Sequence, residues 1–260
     1  MESNSKNKKI WIILIILLSL ITLVSAGFIA FKLYKDYLTD KIYSEMASNN
    51  SQVSSESEDS DLPENPIDFA SHKQINEDIY AWITVPGTKV DYPILQTDND
   101  DFYLTHSVEK KPYDLGSIYT QAVNRKDFQD PVTVIYGHNS ASRDLMFTTL
   151  HYFENADFFN EHEYFYIYTE SKILTYKIVS AFKFDDRHIL NAYNMNDTNS
   201  LLSFYDVVAN PVSLVKNARE GIELKAKDKV VVLSTCITGE NRSRYLVCGV
   251  LENTQRTKKK

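Results

Sequence analysis

The chain has 260 residues, of which 43% are hydrophobic and 12% aromatic, so it is long and apolar enough to build the core of a globular enzyme. A formal net charge of -7, with no basic stripe in the body of the chain, argues against nucleic acid as a partner, because phosphate binding relies on clustered Lys and Arg. The presence of only 7 Gly and 7 Pro excludes a collagen-like or linker-dominated protein.

The first predicted element is an apolar helix over residues 10–31. The run contains no charged residue, and about 20 apolar residues suffice to cross a hydrocarbon core about 30 Å thick. Lysines precede it, so the positive-inside rule places residues 1–9 in the cytoplasm and the following domain outside the cell. The segment Val24-Ser25-Ala26 resembles a signal-peptidase site, but the apolar run continues beyond it. The sequence therefore favours a single-pass anchor in the cell membrane over a cleaved signal peptide.

Residues 32–66 are predicted to be a polar extracellular tether. From Ser44 onward the composition changes to Ser, Asn, Glu and Asp, and such a segment cannot bury enough apolar surface to offset the entropy of ordering it. We expect the tether to hold the next domain away from the bilayer. At the other end of the chain, residues 253–260 form a basic tail, for which a frayed terminus is the simplest interpretation.

A single folded domain is predicted over residues 67–252. Asn65 before Pro66 fits the N-cap of a helix that continues to Tyr80 with apolar residues at helical spacing. Strands are then predicted over residues 90–95, 117–120, 132–136, 163–168, 173–184, 230–235 and 245–251. Two further helices are predicted over residues 145–152 and 200–208. Many short strands with interspersed helices indicate a mainly β protein built on a mostly antiparallel barrel or sheet.

The two cysteines occupy different settings in this pattern. Cys236 follows the apolar run 230–233, so its thiol would be rigidly held yet close to solvent, as a nucleophile must be. Cys248 lies inside the predicted strand 245–251, where it would pack as a small hydrophobe. Two alternatives remain open at this point: an inert core thiol at Cys236, and a disulfide between the two cysteines.

A catalytic cysteine needs a base or a cation nearby, because a thiol with an ordinary pKa of about 8.5 is only partly ionised at neutral pH. His138 follows the predicted strand 132–136 and Gly137, which permits close approach of the backbone. The remaining histidines lie in polar or helical surroundings: His72, His106, His151, His162 and His188. Metal-ligand spacing is not found, so neither a metal nor another cofactor is expected.

Arg244 begins the predicted strand 245–251, about eight residues after Cys236 across a Gly-containing loop. If the two strands pair as a hairpin, its side chain returns to the Cys236 end of the sheet. A fixed guanidinium there could stabilise a thiolate and the oxyanion of a tetrahedral intermediate. Arg242 would share the same face of an extended strand, so side-chain alternation does not separate the two arginines.

With these residues assembled, the chain resembles a class B sortase from its N-terminal anchor to Leu251. Leu233-Ser234-Thr235-Cys236 resembles the family's Thr-Leu-x-Thr-Cys signature, with Val232 in place of the first Thr. Tyr136-Gly137-His138-Asn139 resembles its histidine motif. The segment from Val90 to Gln96, together with Asp98-Asn99 and Tyr103-Leu104, resembles a stretch typical of class B.

The resemblance implies a closed barrel of about eight strands, with N-terminal helices and a helical insertion before the Cys strand. It also implies that Cys236 attacks the Thr carbonyl of a C-terminal sorting motif in a surface protein and forms a thioacyl enzyme. An amine of peptidoglycan, or of a pilin, would resolve this intermediate to an amide at the cell wall. His138 would then be the general acid and base, and Arg244 would bind the oxyanion.

By the same resemblance, Ser234, Tyr136 and Asn99 match positions that line the substrate groove, and no metal is required. The expected sorting motifs are of the Asn-Pro-x-Thr or Ser/Pro-Pro-x-Thr-Gly kind. Two other functions stay open on sequence alone. One is a secreted cysteine peptidase, in which water resolves the acyl enzyme. The other is a non-catalytic surface module that binds a peptide without turning it over.

Overall fold

The computed structural model describes residues 2–50, 62–140 and 142–259, and the chain divides into two units, Met1–Glu45 and Met46–Lys260. The described residues of the first unit belong to helix α1, Glu2–Asn50, whose side chains over residues 10–31 are exposed. Among the described residues, α1 is the one helix long and apolar enough to cross a membrane. At a rise of 1.5 Å per residue, the apolar run 10–31 is about 33 Å long, which matches the hydrocarbon core.

Helix α1 continues beyond the apolar run into the predicted tether. Residues 44–50 are helical, so the prediction of a segment without secondary structure is wrong for them. No Gly or Pro interrupts this part of the helix, and Lys41 pairs with Glu45 one turn away at 3.4 Å. The Asn50 side chain, in turn, hydrogen-bonds the His72 ring at 2.8 Å. Residues 51–61 of the predicted tether lie outside the described residues.

Both ends of the predicted folded domain extend further than the sequence indicates. Asn65, placed in the tether by the sequence, is buried and donates from Nδ2 to the Thr169 carbonyl at 2.7 Å. The predicted basic tail begins inside a strand, because Arg256 still pairs with Lys172. The two segments are also joined to each other, since the Lys258 backbone N–H donates to the Pro63 carbonyl at 3.0 Å. Such hydrogen bonds leave no hydrophobic pattern in the sequence.

The second unit is a mainly β domain. Its strands in the described residues are β1 (Ile79–Thr84), β2 (Asp91–Leu95), β3 (Tyr119–Thr120), β4 (Val132–Tyr136), β5 (Tyr164–Thr169), β6 (Lys172–Asp185), β7 (Lys216–Ala218), β8 (Val230–Ile237) and β9 (Glu240–Arg256). Their order is β5-β1-β2-β3-β4-β8-β9-β6-β7, and β5 also pairs with β6. Eight strands therefore close into a barrel, with β7 added beside β6. This confirms the expected closed barrel of about eight strands.

Two pairings bring the predicted functional residues to one end of the barrel. Strands β4 and β8 are parallel, with Tyr136 opposite Ser234, so both chains leave the barrel at the same end. Strand β8 then turns back into β9 through Gly239, whose φ of 80° suits glycine. In this hairpin Cys236 lies opposite Arg244.

The helices of the second unit are short. Within residues 62–140 and 142–259 they are α2 (Phe69–Ile75), α3 (Ala156–Glu161), α4 (Ile189–Ala192) and α5 (Thr198–Ala209), with 3-10 helices at Phe102–Leu104 and Thr148–Glu154. Helix α5 confirms the predicted helix over residues 200–208. The predicted helix over 145–152 is instead the 3-10 helix Thr148–Glu154, preceded by Met146 with a left-handed φ of 51°, which interrupts a regular α-helix.

The predicted first helix is shorter than expected. Asp68, not Asn65, caps α2 by accepting from the Ser71 backbone N–H, and the helix ends at Ile75. Ile79 and Tyr80 belong to strand β1, whose residues 79–83 are all buried in the barrel. A strand buried on both faces reads as a continuous apolar run, which periodicity does not distinguish from a buried helical turn.

Helix α5 secures the strands that lead to the predicted site. Its buried side chains follow helical spacing and pack with side chains of β4, β8 and β9. This cluster includes Leu201, Phe204, Tyr205 and Val208 of α5 with Val132, Val134, Val230, Val232, Leu246 and Cys248 of the strands. The Tyr205 hydroxyl lies 2.9 Å from the Pro131 carbonyl and 2.7 Å from the Asp228 carbonyl, just before β4 and β8. The parallel strand pair is thereby fixed along its length.

Candidate active site

The two thiols have opposite surroundings. Cys236 is exposed near the end of β8, whereas Cys248 is fully buried on β9 opposite Val232, and both are free. Burial raises the pKa of the Cys248 thiol to about 12. The structure therefore contains neither the disulfide that the sequence left open nor a core thiol at Cys236.

His138 reaches the same end of the barrel from β4. It lies two residues beyond Tyr136, as Cys236 lies two residues beyond Ser234, and Tyr136 and Ser234 are paired. The backbone N–H of Gly137 donates to the Ser234 carbonyl at 3.2 Å, so the segment after β4 stays bonded to β8 beyond the end of β4. His138 and Cys236 therefore occupy equivalent positions, each two residues beyond the last pair of the adjacent parallel strands β4 and β8.

Gly137 is required immediately before His138. A Cβ atom at this position would lie 2.5 Å from Ile118 Cδ1 and 2.7 Å from the Phe147 ring. Any larger residue would push these side chains or the backbone aside. Because residue 137 has no side chain, its backbone can lie directly against Ile118 and Phe147, which is the close approach that the sequence predicts.

The His138 ring is fixed by a backbone carbonyl. Its Nε2–H donates to the Leu104 carbonyl at 2.8 Å, and a carbonyl oxygen only accepts. In this arrangement Nε2 carries the proton. Nδ1 is then the ring nitrogen left to exchange a proton with a substrate.

The register of β8 and β9 separates the two arginines. Arg244 lies opposite Cys236, is half-buried, and donates from Nη1 to the Ser243 carbonyl at 3.0 Å. The pairing shifts between Cys236 and Ile237, so Arg242 lies in the bulged stretch of β9 between Glu240 and Arg244 and is exposed. Arg244 is therefore the arginine that faces the thiol across the hairpin.

A cavity of about 250 Å³ joins these side chains. Cys236, His138 and Arg244 all line it, and so do Ser234 and Tyr136. Asn99 is exposed, is not among the described residues of the cavity wall, and accepts from the Asp101 backbone N–H at 3.1 Å. The structure thus brings five of the six sequence-predicted residues together and places the sixth elsewhere.

Gln121 and His188 form part of the wall that the sequence analysis missed. The Oε1 atom of Gln121 accepts from the Tyr136 hydroxyl at 3.3 Å and from His188 Nε2–H at 2.7 Å. Both residues come from irregular segments far apart in the chain, where periodicity carries no signal. They form a polar section in a cavity whose lining also includes Leu104, Ile189 and Leu246.

The tyrosines of the wall remain neutral. Burial raises the pKa of Tyr119 to about 12 and raises the pKa of Tyr136 further above its ordinary value. Their rings stack with centroids 5.5 Å apart. At neutral pH these two tyrosines therefore present hydroxyl groups. Of the two arginines that line the cavity, Arg187 pairs with Asp185 at 2.6 Å, and Arg244 lies opposite the thiol.

Comparison with known proteins gives consistent matches. A model of the Sortase domain family matches residues 83–252. Sortase B of Listeria monocytogenes serovar 1/2a is 28% identical over 183 residues, which cover 69% of this chain and 72% of that protein. The crystal structure of Clostridium perfringens sortase B superposes with a TM-score of 0.61 at 31% identity, covering 71% of this chain and 99% of that one. A Streptococcus pyogenes class B sortase involved in pilus biogenesis gives a TM-score of 0.61 at 32% identity, covering 72% and 98%.

Proposed function

The chain belongs to the class B sortases, which are cysteine transpeptidases, and from this premise we propose that it cleaves a C-terminal sorting motif of surface proteins after Thr and joins the acyl group to an amine. The observation that carries the proposal is the meeting of Cys236, His138 and Arg244 in one cavity. A thiol, a proton-transfer group and a fixed cation are the three parts that acyl transfer requires.

In the first half of the reaction, the Cys236 thiolate attacks the Thr carbonyl carbon and a C–S bond forms. The carbonyl oxygen becomes an oxyanion, and Arg244, opposite Cys236 across the hairpin, stabilises this charge. His138 gives a proton to the leaving amine as the C–N bond breaks. The product of this half-reaction is a thioester on Cys236 and a released C-terminal peptide.

In the second half, an incoming amine attacks the thioester and His138 takes its proton. The C–S bond breaks, Sγ leaves as the thiolate, and an amide is formed. The hydrogen bond from His138 Nε2 to the Leu104 carbonyl keeps Nδ1 as the exchanging nitrogen in both halves. Because the proton that His138 gives to the leaving amine in the first half is replaced by the proton taken from the incoming amine in the second, one histidine serves both steps.

Ser234 and Tyr136 would contact the sorting motif from the cavity wall, since both lie beside the proposed triad. A motif of the Asn-Pro-x-Thr or Ser/Pro-Pro-x-Thr-Gly kind is expected from class B membership. The acceptor amine belongs to peptidoglycan or, alternatively, to a pilin subunit, as the involvement of the Streptococcus pyogenes relative in pilus biogenesis suggests. Helix α1 would anchor the enzyme, with its N-terminus in the cytoplasm and the barrel outside the cell.

The test uses the full chain in detergent with fluorogenic sorting-type peptides and increasing concentrations of an oligoglycine or lysine-type amine. We expect amide product to increase with amine while hydrolysis falls, because both nucleophiles compete for one thioester. Cleavage that yields only the free acid at every amine concentration would favour a cysteine peptidase and contradict the proposal.

A further inference from the structure

A hydrogen-bond network surrounds the backbone carbonyl of Cys236. Asn139 Nδ2 and His151 Nε2 each lie 3.0 Å from this oxygen, and His151 Nδ1 lies 2.6 Å from Glu154 Oε1. The register between β8 and β9 shifts immediately after Cys236, and these side chains bond its carbonyl at that irregularity. Among the described residues, Asn139, His151 and Glu154 all lie outside the lining of the cavity.

Counting protons identifies the donor in each contact. The Asn139 amide has two protons and lies near three atoms: the Cys236 carbonyl at 3.0 Å, Thr238 Oγ1 at 3.0 Å and His151 Nε2 at 3.3 Å. The two shorter contacts use both protons, so none remains for His151. Since the Cys236 carbonyl only accepts, its 3.0 Å contact with His151 is a hydrogen bond only when Nε2 itself carries a proton.

The second ring nitrogen of His151 has the same requirement. Its partner is the Glu154 carboxylate, which when ionised only accepts, so Nδ1 must donate as well. A ring that donates from both nitrogens is the positively charged imidazolium. The hydrogen-bond pattern is therefore complete only when His151 and Glu154 form an ion pair beside the backbone of Cys236.

The other groups that face the ring are consistent with this state. His151 stacks on Tyr245 with centroids 4.9 Å apart, and burial raises the pKa of Tyr245 so that it stays neutral. Asn139, from the loop after β4, is neutral, and β8 contributes the Cys236 carbonyl. Glu154, from the 3-10 helix Thr148–Glu154, is thus the charged partner of the ring.

We propose that His151 is a positioning residue for Cys236: held by Glu154 as an imidazolium, it donates to the Cys236 carbonyl and fixes the backbone of the nucleophile. This inference rests on the proposed function, because it assigns a role relative to the proposed nucleophile. The imidazolium also places a positive charge beside the backbone of Cys236, and the Glu154 carboxylate partly offsets this charge. His138 then exchanges protons in the cavity, while His151 acts from outside it.

The test compares His151→Ala and His151→Gln with the wild-type full chain. Two quantities are measured: the steady-state constants of peptide cleavage, and the rate of Cys236 alkylation by iodoacetamide as a function of pH. His151→Ala should lower kcat about 10-fold with little change in KM, because the nucleophile loses its fixed orientation. It should also raise the pH midpoint of alkylation by roughly half a unit, because the nearby positive charge is lost.

His151→Gln distinguishes the contribution of the hydrogen bond to kcat from the contribution of the positive charge to the pH midpoint of alkylation. A Gln amide keeps a donor for the Cys236 carbonyl but carries no charge, so kcat should recover to within about threefold of wild type. The pH midpoint of alkylation should stay raised, as in His151→Ala. A Gln variant whose midpoint returns to the wild-type value would overturn the assignment of the charge.

His162→Ala is the matched control. The His162 ring stacks on Phe158 with centroids 3.9 Å apart and donates from Nδ1 to the Phe158 carbonyl at 2.9 Å, so its loss removes similar packing away from Cys236. This variant should keep the wild-type midpoint and kcat. Equal changes in His162→Ala and His151→Ala, or wild-type values in His151→Ala, would contradict the positioning role. If the wild type cleaves no peptide but the alkylation shift is present, the proposed function fails and the positioning role stands.

Discussion

The β8–β9 hairpin contains two cysteines in different environments, one at its end and one in its interior. At the end, Cys236 is exposed and lies opposite Arg244, and His138 comes in from the neighbouring parallel strand. In the interior, Cys248 is fully buried opposite Val232 and beside Ser180 of β6. The barrel wall thus packs one thiol as a hydrophobic group and presents the other to solvent. The difference shows that position along the strand, rather than residue type, decides whether a cysteine of this hairpin is available for chemistry.

The largest predicted difference is between the effects of Cys236→Ala and Cys248→Ala on peptide cleavage. Cys236→Ala should lower the rate of peptide cleavage at least about 10⁴-fold, because the covalent intermediate is no longer formed. Its free energy of unfolding should change by less than about 0.5 kcal/mol, because the side chain is exposed. Cleavage kinetics and urea unfolding measure the two quantities.

Cys248→Ala is the control for this comparison. It should keep near wild-type cleavage and lose about 1 kcal/mol of stability, since a small cavity opens in the barrel wall. Substantial cleavage by Cys236→Ala would refute the proposed nucleophile.

Chemical labelling sharpens the contrast without any substitution. Burial raises the pKa of Cys248 to about 12, so this thiol stays neutral and unreactive until the pH approaches that value. Cys236 is exposed to the reagent, and we expect iodoacetamide to label it at least about 10³-fold faster than Cys248 between about pH 7 and 9. Peptide mapping after iodoacetamide treatment measures both rates, and comparable labelling of the two cysteines would show that Cys248 is not enclosed.

The two arginines provide a contrast within the strand end itself. Arg244→Ala should lower kcat about 10²-fold, because a fixed cation opposite the thiol is lost from the transition state. Arg242→Ala should stay within about twofold of wild type, as expected for an exposed side chain outside the cavity. Steady-state kinetics of both variants measure the difference. The reverse order of effects would show that the hairpin register does not select the functional arginine.

A further prediction concerns the packing of Gly137, which precedes His138, against the barrel. Gly137→Ala should cost about 2 kcal/mol of stability, because the added Cβ would overlap Ile118 and Phe147. Urea unfolding measures this cost. Ile118→Val removes the Cδ1 atom nearest that Cβ, so the double variant should recover part of the loss. Equal stabilities of Gly137→Ala and wild type would show that the backbone has room to move there.

The hydrophobic pattern of the sequence predicted the barrel well where the strands are apolar. Strand β4 coincides with the predicted residues 132–136, and β8 begins at the predicted Val230. The pattern failed at β1, which reads as an apolar run compatible with a helix, and at the ends of β9, which backbone hydrogen bonds extend to Glu240 and Arg256. Pairing between strands is a tertiary property that local periodicity does not contain.

The same limit applies to the site. Cys236 and His138 were predictable because each follows an apolar strand, which marks a strand end in the sequence. The choice between Arg242 and Arg244 required the register shift after Cys236, which the side-chain pattern does not show. Gln121, His188 and His151 reach the site from irregular or 3-10 segments, where no regular spacing links residue number to direction.

The most direct test of the central claim is intact-mass spectrometry of the full chain incubated with a library of sorting-type peptides, with and without an amine acceptor. The account predicts a thioacyl adduct on Cys236 that disappears when the amine is added, with the amide product appearing in equal amount. An adduct on another residue, or no adduct with any peptide, would contradict the assignment of Cys236 as the nucleophile of a transpeptidase.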